Sequence, residues 1–204
     1  MADVRLQDVR LHDVRWTGES TGRVVLASGS PRRKDLLRSV GLDPETRAPD
    51  IDEAVGLDES PTAYVHRLSV EKAAAVARSG EIVIAADTTV EIGGTILGKP
   101  VDLDDARRML STLSGATHLV HTGVTVQSTG QIDTRVVTTL VTFVDLGPEA
   151  IEWYVGTGEP MDKAGGYAMQ GAGGAFVRRI DGSVSNVIGL PLAETLEMLN
   201  AARR

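Results

Sequence analysis

Three cations crowd the start of a helix in the segment Leu26-Ala27-Ser28-Gly29-Ser30-Pro31-Arg32-Arg33-Lys34. Ser30 followed by Pro31 has the form of an N-cap and a first helical residue. That end of a helix already carries partial positive charge, so Arg32, Arg33 and Lys34 are out of place unless negative charge joins them. Nearby acids would leave a solvated helix end. An anionic ligand resolves the conflict differently. Backbone N–H groups of the Ser28–Ser30 turn converge on one spot that suits phosphate, and Arg32 and Arg33 add fork-shaped donors. The spacing is not that of a Walker loop.

Other residues extend this chemistry. Asp87 follows the apolar run at 81–86, and a carboxylate beyond the end of a strand can hold Mg²⁺ or take a proton from water. It can equally start a turn. Lys99, between Gly98 and Pro100, sits in a rigid turn as a point charge for phosphate or as a solvated loop residue. Residues 159–171 form a glycine-rich loop in which Gln170 offers both a donor and an acceptor to a nucleobase edge. Asp162 and Lys163 in that loop can pair with each other. Glu53, in the acidic run 50–53, is a candidate metal carboxylate or a solvated loop acid. Lys72, beside Glu71 on a helix amid alanines, either reaches a phosphate or lies at the surface. His12, His66, His118 and His121 show no metal-ligand spacing. Together these pieces describe a nucleotide site with a divalent cation.

The elements that must position them read as follows. A buried strand covers 23–27 and a helix 31–40, closed by Gly41. Ser60-Pro61 opens a second helix running to about 79. A short strand at 81–86 ends at Asp87, and Gly93-Gly94 marks a hairpin. Asp102 caps a helix over 103–114. A long hairpin turns near Thr129-Gly130, Pro148 opens a helix through Trp153, residues 156–174 are loop, 175–180 a strand, and 191–202 a final helix. Helices and strands alternate early while the later strands form hairpins. The expected fold is therefore α/β, with a mixed, partly antiparallel central sheet flanked by helices.

Composition narrows the function. The chain has 204 residues, no cysteine, 3% aromatics and a net charge of −7. Thiol chemistry is excluded, and the acidic balance with few aromatics argues against a nucleic-acid-binding module. No apolar run approaches membrane-spanning length and no signal-peptide core is present, so a cytoplasmic location is expected. Residues 1–22, with Asp-Val-Arg at 3–5, 8–10 and 13–15, read as a solvated tail ahead of a domain at 23–204.

Four stretches, "LASGSPRRKDLLRSVGL", "AADTTVEIGGTILGKP", "ARRMLSTLSGATHLVHTGV" and "EPMDKAGGYAMQGAGGAFVRRIDGSVSNVIGLPL", resemble in order the signatures of the Maf family of nucleoside triphosphate pyrophosphatases over roughly 23–200. The resemblance implies two lobes around a cleft, similar to the inosine triphosphate pyrophosphatases. It implies hydrolysis of a nucleoside triphosphate to the monophosphate and pyrophosphate, a divalent cation (Mg²⁺ or Mn²⁺), a homodimer and a connection to cell division arrest. Asp87 matches the catalytic carboxylate, and Arg32, Thr88 and Gln170 match positions that tune substrate choice. The pattern resembles the subgroup that prefers dTTP and UTP, or modified pyrimidine triphosphates, rather than the 7-methyl-GTP subgroup. In the mechanism that follows, Asp87 activates water and shares a metal with Glu53. Arg32, Arg33, Lys72 and Lys99 neutralise the leaving pyrophosphate, and the backbone around Ser28 and Ser30 receives phosphate. The rival class is a non-catalytic nucleotide sensor regulating septum formation.

Overall fold

The computed structural model describes residues 23–203. The expectation of a solvated tail at 1–22 lies outside the described residues. Seven strands form one sheet, in the order β2-β1-β3-β5-β6-β7, with β4 also on β3. The strands are β1 (Arg23–Ala27), β2 (Glu45–Thr46), β3 (Glu81–Ile92), β4 (Thr95–Leu97), β5 (Thr117–Ser128), β6 (Gln131–Phe143) and β7 (Val177–Asp181). β1 runs parallel to β2 and β3, and every other pairing is antiparallel. The sheet is mixed, as expected.

The helices are α1 (Pro31–Ser39), α2 (Pro61–Val76), α3 (Leu103–Leu113), α4 (Pro148–Val155), α5 (Val184–Ile188) and α6 (Leu192–Ala202). Strand alternation assigns them to faces. Leu26, Ile82, Ile84 and Ala86 point to the side covered by α1 and α6, where Leu36, Leu37, Met198 and Leu199 pack against them. Val25, Ala27, Val83 and Ala85 point to the opposite side, against Ala73 of α2. Small side chains there let α2 lie close to the sheet. Its contact with β5 is closer still: a Cβ on Gly123 would stand 2.1 Å from the Val65 carbonyl oxygen. A third apolar group gathers α3 and α4 with the far half of β3, through Val90, Leu110, Phe143, Tyr154 and Phe176. The first two groups make one lobe and the third the other, and β3 contributes to all three.

Several boundaries differ from the sequence reading. β3 does not end at Asp87. The threonines at 88 and 89 suit a pleated strand, and pairing with β5 from Val83 to Glu91 carries the strand on to Ile92. The strand that ends is β1, whose last pair with β3 is Ala27 with Ala85. α2 stops at Val76, earlier than 79. Ser60 caps α2 by accepting from the Ala63 N–H, whereas the Ser30 side chain makes no such bond at α1. The loop at 156–174 contains 3-10 turns at Glu159–Asp162 and Ala164–Gly166, and a third turn at Ala172–Phe176 delays β7 to residue 177. The helix α5 and the two-residue β2 were not anticipated. Among the described residues, no helix is long and apolar enough to cross a membrane.

Candidate active site

The end of β1 opens a cleft. Beyond Ala85, β3 loses its parallel neighbour, and β4 joins that edge only at Val90. Residues 86–89 therefore lack a strand partner on that edge among the described residues. A cavity of about 450 Å³ fills the gap. Its walls come from the Ser28–Arg33 segment, α2, β3, the Gly98–Lys99 turn, the loop at 162–170 and Gly189.

Asp87 and Thr88 leave β3 on opposite faces. On the α2 face, the Lys72 ammonium donates to Asp87 Oδ1 at 2.5 Å and lies 2.6 Å from Glu53 Oε1. The Lys72 and Asp87 side chains are only 7% and 10% exposed, so this ion pair is shielded from water. Lys72 is thus not the surface residue its neighbour Glu71 suggested. It follows Val65, Leu68 and Ser69 along the buried stripe of α2, and that spacing was the available signal. Burial pushes the Glu53 carboxyl up, but its bond to Lys72 and the charges of Lys72, Lys99 and Arg33 outweigh this and hold it below the ordinary value. Tyr64 Oη donates to the Glu53 backbone oxygen at 3.0 Å and fixes the acidic loop. Burial, then the charges of Asp87 and Glu53, push that phenol up to about 12, so it stays a neutral donor.

On the α1 face, Arg33 is clamped by three acceptors. Its Nε donates to the Gly189 carbonyl at 2.8 Å, Nη2 to Thr88 Oγ1 at 3.1 Å and Nη1 to Ser28 Oγ at 3.3 Å. Ser28 Oγ also accepts from the Ser30 N–H at 3.1 Å, which shapes the turn. Burial pulls the Arg33 guanidinium below its usual value, opposed by the charge of Asp87. Thr88 continues the network through Thr122 Oγ1 at 3.0 Å, and Thr122 donates to the Asn186 carbonyl at 3.1 Å. Asn186 is buried and ties α5 to β5 and β6 through the Val120 carbonyl and Thr139 Oγ1. The sequence reading missed Asn186. Its trace was Ser183 three residues earlier, whose hydroxyl accepts from the Asn186 N–H.

The remaining cations also have partners. Arg32 Nη1 lies 3.4 Å from Asp162 Oδ2, and Lys34 Nζ lies 3.9 Å from Asp43. Asp162 pairs with Lys163 as expected. The crowding at the start of α1 is therefore relieved partly by acids and carbonyls, and is not left wholly to a ligand. Lys99 is the most open, with a 63% exposed side chain 4.0 Å from Glu53. Gln170 is exposed at the tip of a turn on the cleft wall. The structure thus gathers Glu53, Lys72, Asp87, Lys99, Arg32, Arg33, Ser28, Ser30, Thr88 and Gln170 around one cavity. His118 and His121 stay outside it, bonded instead to Tyr167 and to Thr138 and Glu91. Among the described residues, no group of three or more metal-ligating side chains is placed to hold an ion unaided.

A family model described as "Maf-like protein" matches residues 23–202, from the first residue of β1 to the last of α6. The chain belongs to the Maf family. A dTTP/UTP pyrophosphatase of Anaeromyxobacter sp. (strain Fw109-5) is 55% identical over 186 residues, which is 88% of this chain and 89% of that one. The dTTP/UTP pyrophosphatase of Myxococcus xanthus (strain DK1622) is 49% identical over 181 residues, 88% of this chain and 92% of that one. Among solved structures, the Staphylococcus aureus Ham1 protein aligns with a TM-score of 0.49 at 13% identity, covering 88% of this Maf chain and 98% of its own.

Proposed function

We propose that this Maf protein hydrolyses dTTP and UTP to the monophosphate and pyrophosphate, with residues 23–204 as the catalytic domain. The observation that carries the reading is the Glu53–Lys72–Asp87 cluster, set in a cleft whose opposite wall bears Arg32, Arg33 and the Ser28 turn. The names of relatives at 49–55% identity supply the substrate.

In this reading the triphosphate lies along the cleft, with its charge toward Arg32, Lys99 and the backbone of the Ser28–Ser30 turn. Asp87 accepts a proton from the attacking water. The water oxygen bonds to the α-phosphorus. The bond to the bridging oxygen breaks, and its electron pair leaves with pyrophosphate. Lys72 holds the Asp87 carboxylate in place through its bond to Oδ1. Arg33 is locked to Gly189 and Thr88, so it offers fixed positive charge that needs no reorganisation during reaction.

The donor set suits a divalent cation. Mg²⁺ commonly binds through one or two carboxylates plus substrate phosphates, and Asp87 and Glu53 already share one ammonium. Those two residues would hold Mg²⁺ or Mn²⁺, which when bound supplies charge neutralisation and polarises the phosphoryl oxygen. A site with two carboxylates is incomplete until triphosphate arrives.

The test is release of pyrophosphate and monophosphate from a panel of triphosphates with Mg²⁺ or Mn²⁺, wild type beside Asp87→Asn. Release from dTTP and UTP that falls by about 10²-fold or more in the variant is expected, the size of a lost general base. Release from 7-methyl-GTP alone would overturn the substrate. No release from any nucleotide, with binding intact, would leave a sensor.

A further inference from the structure

Gln170 occupies the tip of a β-turn: Ala168 is its first residue and Gly171 its last, closed by a Gly171 N–H to Ala168 carbonyl bond of 3.2 Å. An exposed glutamine on a glycine-rich turn has many conformations, and reading a base edge needs one. Two side chains behind the cleft lining fix this turn on both sides. Tyr154, fully buried on α4, accepts from the Ala168 N–H at 3.1 Å. The same hydroxyl donates to Glu159 Oε1 at 2.7 Å. Glu159 in turn accepts from the Gly173 N–H on Oε1 at 3.1 Å and from the Ala172 N–H on Oε2 at 3.0 Å.

The glycines around the turn fit this grip. A Cβ on Gly171 would lie 2.3 Å from Glu159 Oε2, and one on Gly173 would lie 2.7 Å from Tyr154 Oη. The backbone thus passes directly over the carboxylate and the phenol, with no room for a side chain. These bonds place an ionised acceptor under two N–H donors, the stronger kind of hydrogen bond.

We infer that Tyr154 and Glu159 form a positioning dyad that presents Gln170 to the nucleobase, and so set base selectivity without touching substrate. The inference rests on the proposed pyrophosphatase activity and on Gln170 as base reader. Neither residue was singled out from the sequence, and neither lines the cleft.

The test compares kcat and KM for dTTP, CTP and dGTP in Tyr154→Phe, Glu159→Gln, Gln170→Ala and the double variant Glu159→Gln/Gln170→Ala, each checked for folding by its melting curve. Tyr154→Phe keeps the buried ring and is the milder change. Tyr154→Phe and Glu159→Gln are expected to reduce the dTTP preference in kcat/KM by about tenfold, chiefly through KM, with saturated kcat on dTTP within about threefold of wild type. The double variant is expected to be no less selective than Gln170→Ala alone, since the dyad acts through Gln170. If Gln170→Ala loses selectivity while folded Tyr154→Phe keeps it, the dyad is structural only and the inference falls. Uniform loss of kcat on all bases in Tyr154→Phe has the same meaning. If Gln170→Ala retains full selectivity, base reading by Gln170 fails first and takes the dyad with it. No turnover in wild type would instead overturn the function itself.

Discussion

The Lys72 ammonium of α2 lies 2.5 Å from the Asp87 carboxylate of β3 and also contacts Glu53, so one cation serves two acids in a largely enclosed site. Two carboxylates facing one point would otherwise repel each other. Lys72 keeps both available as acceptors.

Lys72→Met should therefore cost stability as well as activity. Removing one partner of a buried pair is expensive, and partial exposure of Glu53 softens the effect, so we expect about 3 kcal/mol and a Tm lower by roughly 10 °C. The double variant Lys72→Met/Asp87→Asn should recover most of the Tm and none of the turnover. Calorimetry on the two variants checks this. An undiminished Tm in Lys72→Met would show that the pair contributes nothing to the fold.

Arg32 and Arg33 should behave differently although they are neighbours. Among the described residues Arg32 meets only the exposed Asp162, and its loss as Arg32→Ala should raise KM for triphosphate with little change in Tm. Arg33→Lys keeps the charge but cannot reproduce three bonds from one fork, so it should lower both Tm and kcat/KM. Thermal melts with and without dTTP separate the two cases. Equal effects would contradict the clamp.

Gly123→Ala should damage the site without touching it. The new Cβ would meet the Val65 carbonyl at 2.1 Å, forcing α2 off β5 and carrying Lys72 with it. Overpacking of this kind costs about 1–3 kcal/mol, and a displacement of about 1 Å at a catalytic group can cost about 10²-fold in rate. Urea unfolding and kcat measured on one preparation would test both halves. A variant with normal stability and normal rate would refute the close packing of α2.

His118 should make stability sensitive to mild acid. Burial holds its imidazole down to about 4 from an ordinary 6.5, and its Nδ1 has no hydrogen-bond partner among the described residues. Between these values the unfolded chain binds the proton and the folded one does not. Stability from this group is thus complete above about pH 6.5 and falls as pH drops toward 4. At pH 4.5 the loss should be about 2 kcal/mol relative to pH 7. His118→Gln should remove that part of the slope, read from urea midpoints at the two pH values. Identical slopes in both proteins would mean that His118 is not neutral when folded.

How much of this was legible in the sequence differs by residue. Asp87, Arg32, Lys99 and Gln170 announced themselves through local context, and all face the cleft. The mixed sheet followed from alternation early and hairpins late. The burial of Lys72 was written in the spacing of Val65, Leu68 and Ser69, but which face of the sheet α2 covers depends on strand order, a non-local property. The position of Asp87 was misjudged for the same reason. The apolar run suggests a strand ending there, whereas it is the neighbouring β1 that ends. Thr88, expected beside the substrate, spends its hydroxyl on Arg33 and Thr122. The contacts of Tyr154 and Glu159 with the Gln170 turn join residues up to 14 positions apart through backbone N–H groups, which leave no imprint on residue type except the glycines at 171 and 173.

β3 is common to both lobes, and the gap along its edge is four residues, or about 13 Å at ordinary strand rise. The two sides of the cleft are therefore joined by a continuous pleated strand that stays bonded to β5 throughout the gap. Such a joint resists bending within the sheet and yields mainly to twist. Opening the cleft by a hinge would break the β3–β5 ladder. The distance between the phosphate wall and the Gln170 turn is consequently set by the length of β1 on one side and the start of β4 on the other. One residue more on either strand would shorten the slot by about 3 Å.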